Sequence, residues 1–316
     1  MYFLVFFISL AIVLITIPPI FRLALKIGFV DTPNERKIHK KVTPQLASIS
    51  IFLGFFVTIF LFKEQFNDNN LLNIFIGSFL ILLVGLVDDW SKSKGKEFPA
   101  LPKAIVQLLA AIIIYFSGIV FSGFENPFNG EYILLPVYLQ FLLTVIWIFG
   151  VTTVINFMDG LDGLTGGITT ISAITLFIVA VYTGHQDSAL LSIVLLGVTL
   201  GYLKYNKPPA KIYMGDSGAT FLGYILAIIS LMGPFKQSTL LSISIPIIIL
   251  SVPIFDNLYV IVKRYFEGHP IYVADQSQIH YRLISKGLNA KQSTLFICLI
   301  CTCFSLVAII MLLLDA

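Results

Sequence analysis

Charge is what this sequence of 316 residues has least of. Asp, Glu, Lys and Arg make up only 12% of it, and 57% is hydrophobic, with a mean hydropathy of +0.93. A soluble domain carries about 25% charged residues, so the deficit excludes a water-soluble core of this length. Long polar stretches are also lacking. The longest is about 30 residues, too short to fold as a separate aqueous domain. Residues 1–316 are therefore expected to form one integral membrane domain. Cysteine is scarce: Cys298, Cys301 and Cys303 all lie in the last apolar run, where buried thiols behave as small hydrophobes. Disulfides and a cysteine metal cluster are poor readings of that pattern. The first apolar run, Tyr2–Phe21, has neither a basic leader nor a small-residue cleavage site, and is expected to be a retained span. There is no internal repeat and no low-complexity tract.

What is abundant is apolar runs of 15 to 24 residues. A run of about 18 or more is a candidate membrane span. The expected fold is all-α, a polytopic helix bundle of about ten spans: Tyr2–Phe21, Leu46–Phe62, Leu71–Val87, Ala104–Phe121, Pro136–Ile155, Ile168–Thr183, Ala189–Leu203, Gly218–Gly233, Thr239–Val262 and Ser293–Leu314. Spans six to eight are short and rich in Gly, Ser and Thr, which lets membrane helices approach closely. Lys and Arg accumulate in cytoplasmic loops. With both termini outside, the inside loops 22–45, 88–103, 156–167, 204–217 and 263–292 hold 18 of the 20 basic residues, leaving only Lys63 and Lys236 outside. A missed or invented span would scramble that partition. The outer loops read as plain connectors, with Phe124, Phe128 and Tyr132 suited to the headgroup layer.

Chemistry is expected at the inside face. Asp88 and Asp89 end an apolar helix and are followed by Lys92, Lys94, Lys96 and Lys103. Adjacent carboxylates repel and are disfavoured near lipid, and a divalent cation or a nearby Lys relieves both effects. The alternative is a polar stop at the helix end. The segment from Asn156 to Gly167 carries Asp159, Asp162 and four glycines but no cation. Glycine allows close backbone approach to a phosphate or metal; a simple glycine turn is the other reading. Asp216 lies between Gly215 and Gly218 at a helix start, as a metal ligand or as an N-cap. The loop 263–292 holds Lys263, Arg264, Asp275, His280 and Arg282, and the first inside loop holds Asn34, Arg36, Lys37, His39, Lys40 and Lys41. Each suits an anionic ligand or a lipid-headgroup patch. Asp256, just inside span nine, is an intramembrane carboxylate and so a functional candidate.

Asp88, Asp89, Asp159, Asp162 and Asp216 thus come from three loops on one face. Hard oxygen ligands select Mg²⁺, Mn²⁺ or Ca²⁺. Mg²⁺ uses one or two carboxylates plus substrate phosphates, so not all five can be ligands. An acidic centre within basic loops is the layout of phosphoryl transfer.

At these residues the sequence resembles the polyprenyl-phosphate N-acetylhexosamine-1-phosphate transferases, glycosyltransferase family 4, in their WecA/TagO-like branch, related to phospho-N-acetylmuramoyl-pentapeptide transferase. The matching segments are Asp31–Lys41, Gly85–Lys92 with Lys103, Asn156–Gly167, Tyr213–Gly218 and Asp275–Leu283, in family order across nearly the whole chain. The resemblance implies Asp216 and Asp88 at the metal, and Asp88, Asp89, Asp159, Asp162 and His280 in catalysis. It implies Lys92, Lys103, Asn156, Arg36, His39 and Arg282 on substrate. The sequence departs from the family at Gln278-Ile279-His280-Tyr281, where His-x-His-His is common. It departs again at Ala47-Ser48, where the branch usually has Gly-Gly.

The implied reaction moves a sugar 1-phosphate, GlcNAc-1-phosphate first among the choices, from a UDP-sugar to polyprenyl phosphate. It releases UMP and requires Mg²⁺, with Mn²⁺ as a substitute. The implied setting is the cytoplasmic face of a bacterial inner membrane, at the first membrane step of a cell-envelope polysaccharide such as O-antigen or teichoic acid. Membrane lipid is the expected surrounding, a homodimer is compatible, and no nucleic-acid partner is expected. Two alternatives stand beside it: the same transfer from UDP-MurNAc-pentapeptide, and a cation-coupled transporter or lipid flippase.

Overall fold

The computed structural model describes residues 1–32, 42–66, 70–126, 131–233, 240–268 and 276–314. Its helices are α1 (Tyr2–Ile27), α2 (Ala47–Leu61), α3 (Leu71–Ser93), α4 (Ala100–Phe116), α5 (Val137–Phe157), α6 (Leu164–Tyr182), α7 (Gln186–Asn206), α8 (Gly215–Met232), α9 (Leu240–Ile249), α10 (Ser251–Glu267), α11 (Ile279–Ser285) and α12 (Ala290–Leu314). Seven of them, α1, α3, α5, α6, α7, α8 and α12, are long and apolar enough to cross a membrane. The chain is a polytopic helical membrane protein. α2 and α4 have 15 and 17 residues. At 1.5 Å per residue they span roughly 22 and 26 Å, short of a hydrocarbon core of about 30 Å.

Most helices follow the apolar runs but outlast them. α3 continues through Asp88, Asp89 and Lys92 to Ser93, because backbone hydrogen bonding continues past the point where apolar side chains give out. The expected ninth span, Thr239–Val262, is instead two helices meeting at Leu250. Pro253 has no N–H to donate to the Ile249 carbonyl one turn back, and Pro246 removes a second donor within α9. The loop 122–135 is more than a connector. Within it β3 (Gly123–Glu125) pairs antiparallel with β4 (Tyr132–Leu134), placing exposed Tyr132 and Leu134 on a small ribbon. A second ribbon pairs β1 (Val30–Asp31) with β2 (Thr43–Pro44), joining the two ends of the first basic loop.

α8 is the central element. Every residue in it except Asp216 is buried, as expected of a helix that is apolar on all sides. α3 and α5 pack along it, and α2, α6 and α7 complete its surround. The approach of α3 is very close: a Cβ on Gly85 would collide with the Ser217 backbone. One turn further along α3, this contact brings Asp88 and Asp89 against the first turn of α8.

Candidate active site

Asp88 and Asp89 are sequence neighbours with opposite situations. Both are buried. Asp89 faces the N-terminus of α8, where unpaired N–H groups and the helix dipole favour an anion. Its Oδ1 accepts from the Asp216 backbone N–H at 2.9 Å and from Gln45 Nε2 at 3.0 Å. Its Oδ2 accepts from the Ser217 backbone N–H at 3.1 Å and from Ser217 Oγ at 2.6 Å. A carboxylate has about four acceptor positions, so all of them are filled. Gly215 makes this possible. It adopts φ of 69°, and a Cβ there would strike Asp89 and Gln45. Behind Ser217, Ser48 Oγ lies 2.8 Å from Ser217 Oγ. Ser48 therefore backs the hydroxyl that holds Asp89.

Asp88 faces the other way, toward two lysines. Its Oδ2 accepts from Lys103 Nζ at 2.8 Å and pairs with Lys92 Nζ at 3.0 Å. Asp216 Oδ2 accepts from the same two ammonium groups, at 2.8 Å from Lys92 and 3.3 Å from Lys103. Two carboxylates thus share two cations. Asp88 Oδ1 has no hydrogen-bond partner among the described residues, and the Asp216 side chain is 26% exposed. Oxygens of Asp88, Asp89 and Asp216 lie within 4.8 Å of one another. Since Asp89 is saturated, Asp88 and Asp216 are the pair suited to a hard divalent cation. The orphaned buried oxygen of Asp88 is the observation that fits one.

The glycine-rich loop between α5 and α6 is held from two sides. Asp162 Oδ2 accepts from the Ala210 N–H at 2.9 Å, and its Oδ1 accepts from Tyr213 Oη at 3.1 Å. Asn206 accepts from the Gly163 N–H at 2.9 Å and donates to the Ile212 carbonyl at 3.0 Å. Asp162 therefore ties its loop to the segment leading into α8. Asp159 lies at the turn after α5. Burial raises its carboxyl to about 7, and the negative charges of Asp216 and Asp31 add to the effect. Asn156 Oδ1 is buried with no hydrogen-bond partner among the described residues.

α11 closes the remaining side. The His280 ring is 1% exposed and packs against Gly160 so closely that a Cβ there would overlap it. Neither ring nitrogen has a hydrogen-bond partner among the described residues. Burial lowers its imidazole to about 4, leaving a neutral ring near pH 7. Asp256 is spent on α11. It accepts from the Ile279 N–H at 2.9 and 3.0 Å and from Arg282 Nη2 at 2.6 Å. The Arg282 guanidinium also lies 4.1 Å over the Tyr259 ring.

The structure thus brings together Asp88, Asp89, Lys92, Lys103 and Asp216, and sets Asp159 and Asp162 in the adjoining glycine-rich loop, with His280 of α11 against that loop. Arg36, His39 and Asp275 lie outside the described residues. The roles of Gln45, Ser48, Asn206, Tyr213 and Ser217 were not anticipated. Gln45 and Asn206 carried no signal, Ser48 stood out only as part of a departure from the resemblance, and Tyr213 and Ser217 only as members of the matching segment Tyr213–Gly218.

Comparison with known proteins places the chain in a family. The family model described as Glycosyl transferase family 4 matches residues 71–234, which contain the whole acidic cluster. The chain is 41% identical to the probable undecaprenyl-phosphate N-acetylglucosaminyl 1-phosphate transferase of Bacillus subtilis, over 97% of this chain and 84% of that protein. It is 31% identical to the decaprenyl-phosphate N-acetylglucosaminephosphotransferase of Mycobacterium tuberculosis, over 88% of this chain and 74% of that one. A phospho-N-acetylmuramoyl-pentapeptide-transferase of Lacticaseibacillus paracasei is also 31% identical, but over 64% of this chain.

Proposed function

Because the chain belongs to glycosyl transferase family 4, we propose that it transfers N-acetylglucosamine 1-phosphate from UDP-N-acetylglucosamine to undecaprenyl phosphate, releasing UMP. One observation carries the reading. Asp88 and Asp216, far apart in sequence, share Lys92 and Lys103 at the ends of α3 and α8 and leave one buried carboxylate oxygen without a partner among the described residues. The N-acetylglucosamine donor is favoured over the muramoyl-pentapeptide donor by the relatives that match nearly the whole chain. A transporter would hold its carboxylates near the membrane midplane, whereas these sit at helix ends.

In this reading the short helices α2 and α4 and the α9–α10 pair cross together with the seven long helices, and these ten crossings put both termini outside and the acidic cluster at the cytoplasmic face of the inner membrane. The 18 basic residues of the inside loops support it. The acceptor phosphate has a second pKa near 6 and is already mostly ionised at neutral pH. The protein's main task is therefore to align two anions and offset their repulsion. Asp88 and Asp216 would hold Mg²⁺, or Mn²⁺ in its place, which supplies positive charge to the pyrophosphate when bound. Lys92 and Lys103 then turn from the carboxylates to phosphate oxygens; Lys suits this exchange because its ammonium is a rotatable point charge. With every acceptor position of Asp89 filled, Asp88 is the better placed of the two adjacent aspartates to take a remaining proton, through the oxygen that the lysines release. Asp89 acts by fixing the first turn of α8, and Asp162 by fixing the glycine-rich loop. Asp159, Asn156 and the neutral His280 line the side where the nucleotide would enter. Arg282, engaged by Asp256, holds α11 in place.

Purified protein in detergent with Mg²⁺ and undecaprenyl phosphate should release UMP from UDP-N-acetylglucosamine and not from UDP-MurNAc-pentapeptide. Asp216→Asn should reduce the rate by about a hundredfold or more. Near-normal activity of that variant would overturn the metal assignment.

A further inference from the structure

On the far side of the segment that leads into α8, a cavity of about 280 Å³ opens between α1 and the end of α7. Ile17, Pro18, Phe21 and Tyr205 supply its apolar surface. Its floor follows from the sequence. Pro18 has no N–H, so the Leu14 carbonyl one turn back loses its helical donor. Tyr205 Oη donates to that carbonyl at 3.2 Å, which draws the tyrosine ring under α1. Among the described residues, the charged members of the lining are Arg22 and Lys211, and both are exposed. Neither side chain has a hydrogen-bond or ion-pair partner among the described residues. Two unpaired cations beside an apolar notch match a ligand with one anionic group and a hydrocarbon tail. A soluble phosphate would gain nothing from the apolar wall.

We propose that this cavity binds one anionic glycerophospholipid of the bilayer, its phosphate on Arg22 and Lys211 and an acyl chain along Ile17, Pro18 and Phe21. The site is wired to the glycine-rich loop. Lys211 stands between Ala210, whose N–H holds Asp162, and Ile212, whose carbonyl receives the Asn206 amide. Tyr213, two residues on, donates to Asp162. A lipid phosphate that restrains Lys211 restrains the segment that positions Asp162 and ends at Gly215 and Asp216. The consequence for activity rests on the function proposed above; the binding does not.

The test is native mass spectrometry of the full chain in detergent, titrated with phosphatidylglycerol, with phosphatidylcholine of the same chains, and with inorganic phosphate. The wild type should take up one phosphatidylglycerol in preference to phosphatidylcholine. The double variant Arg22→Gln/Lys211→Gln should bind phosphatidylglycerol about tenfold or more weakly, and so should the single charge reversal Lys211→Glu. Lys26→Gln/Lys207→Gln, which removes two neighbouring cations outside the lining, should match the wild type. Unchanged phosphatidylglycerol binding by the double variant and the reversal overturns the proposal. Displacement by inorganic phosphate would make this a soluble-anion site, and displacement by undecaprenyl phosphate would make it the acceptor's own site; either outcome also overturns it. In a second arm, transferase rates in phosphatidylglycerol and phosphatidylcholine vesicles should differ by about fivefold for the wild type and not for the double variant. No transferase activity under any condition, with lipid binding intact, would count against the proposed function alone.

Discussion

Two carboxylate-centred clusters sit near helix ends in this protein, and their chemistry differs in one respect. At Asp256, a single carboxylate meets the Ile279 N–H and one arginine, 2.6 Å away. At Asp88 and Asp216, two carboxylates share two lysines, and one buried oxygen has no hydrogen-bond partner among the described residues. Arginine presents a rigid fork that suits a permanent contact, while a lysine ammonium rotates and re-pairs easily. The first cluster is built to hold α11 against α10. The second is built to change partners, which a site receiving pyrophosphate must do. Asp89, one residue from Asp88, belongs with the first kind despite its position in the second, because its four acceptor positions are all used internally.

The sharpest way to break this comparison is to neutralise the two adjacent aspartates separately. Asp88→Asn should lower the transfer rate by about a hundredfold or more with little change in thermal stability, since its lysines keep Asp216. Asp89→Asn should lower both. Its amide would set N–H groups against the Ser217 donors, and a buried donor without an acceptor costs about 1–3 kcal/mol. Thermal unfolding in detergent beside UMP-release assays separates the two. Equal stability losses in the two variants would erase the distinction drawn here.

That distinction could not be read from the sequence, although the aspartates themselves could. A charge at the end of an apolar helix is an anomaly visible in any hydropathy reading, and so were Asp216 and the glycine-rich loop. Which of two neighbouring side chains meets α8 depends on the collision-limited contact between Gly85 and Ser217, which is a fact of packing. The contacts of Gln45 and Ser48 were invisible for a related reason. Uncharged polar residues are common at helix starts, and their partners lie 44 and 169 positions away. The helix framework was largely legible because lipid imposes long apolar runs. The division at Leu250 was written in Pro246 and Pro253 but hidden by the uniformly apolar composition around them. α11 was missed because seven residues of mixed polarity inside a basic loop carry no strong periodicity.

A smaller effect is expected at the permanent contact. Arg282→Lys keeps the charge at Asp256 but loses the fork and the stacking on Tyr259. It should loosen α11 and lower the rate by roughly three- to tenfold, in line with a loss of about 1 kcal/mol in a partly exposed pair. Lys103→Arg, at the exchanging cluster, should be the more damaging of these two conservative swaps, because a fixed fork hinders re-pairing. Steady-state kinetics of the two variants side by side would decide it, and the reverse order would contradict the roles assigned to the two clusters.

The smallest effect concerns Asp159. Burial, aided by Asp216 and Asp31, lifts its carboxyl to about 7, from about 3.9 in an unfolded chain. Between those values the folded protein holds a proton that the unfolded chain has released. This contribution to stability is therefore present in full below about pH 4 and is lost as the pH rises through about 7. An asparagine cannot lose that proton. In cation-free buffer the wild type should lose more thermal stability than Asp159→Asn between pH 5 and pH 8, by a few degrees at most because the residue is partly exposed. The comparison must be made as a difference between the two proteins, since Asp31, Asp88 and Asp216 experience the same change of pH in both. Parallel curves would place the Asp159 carboxylate in an ordinary aqueous environment, and the turn after α5 would then be more open to water than the packing of Gly160 against His280 implies.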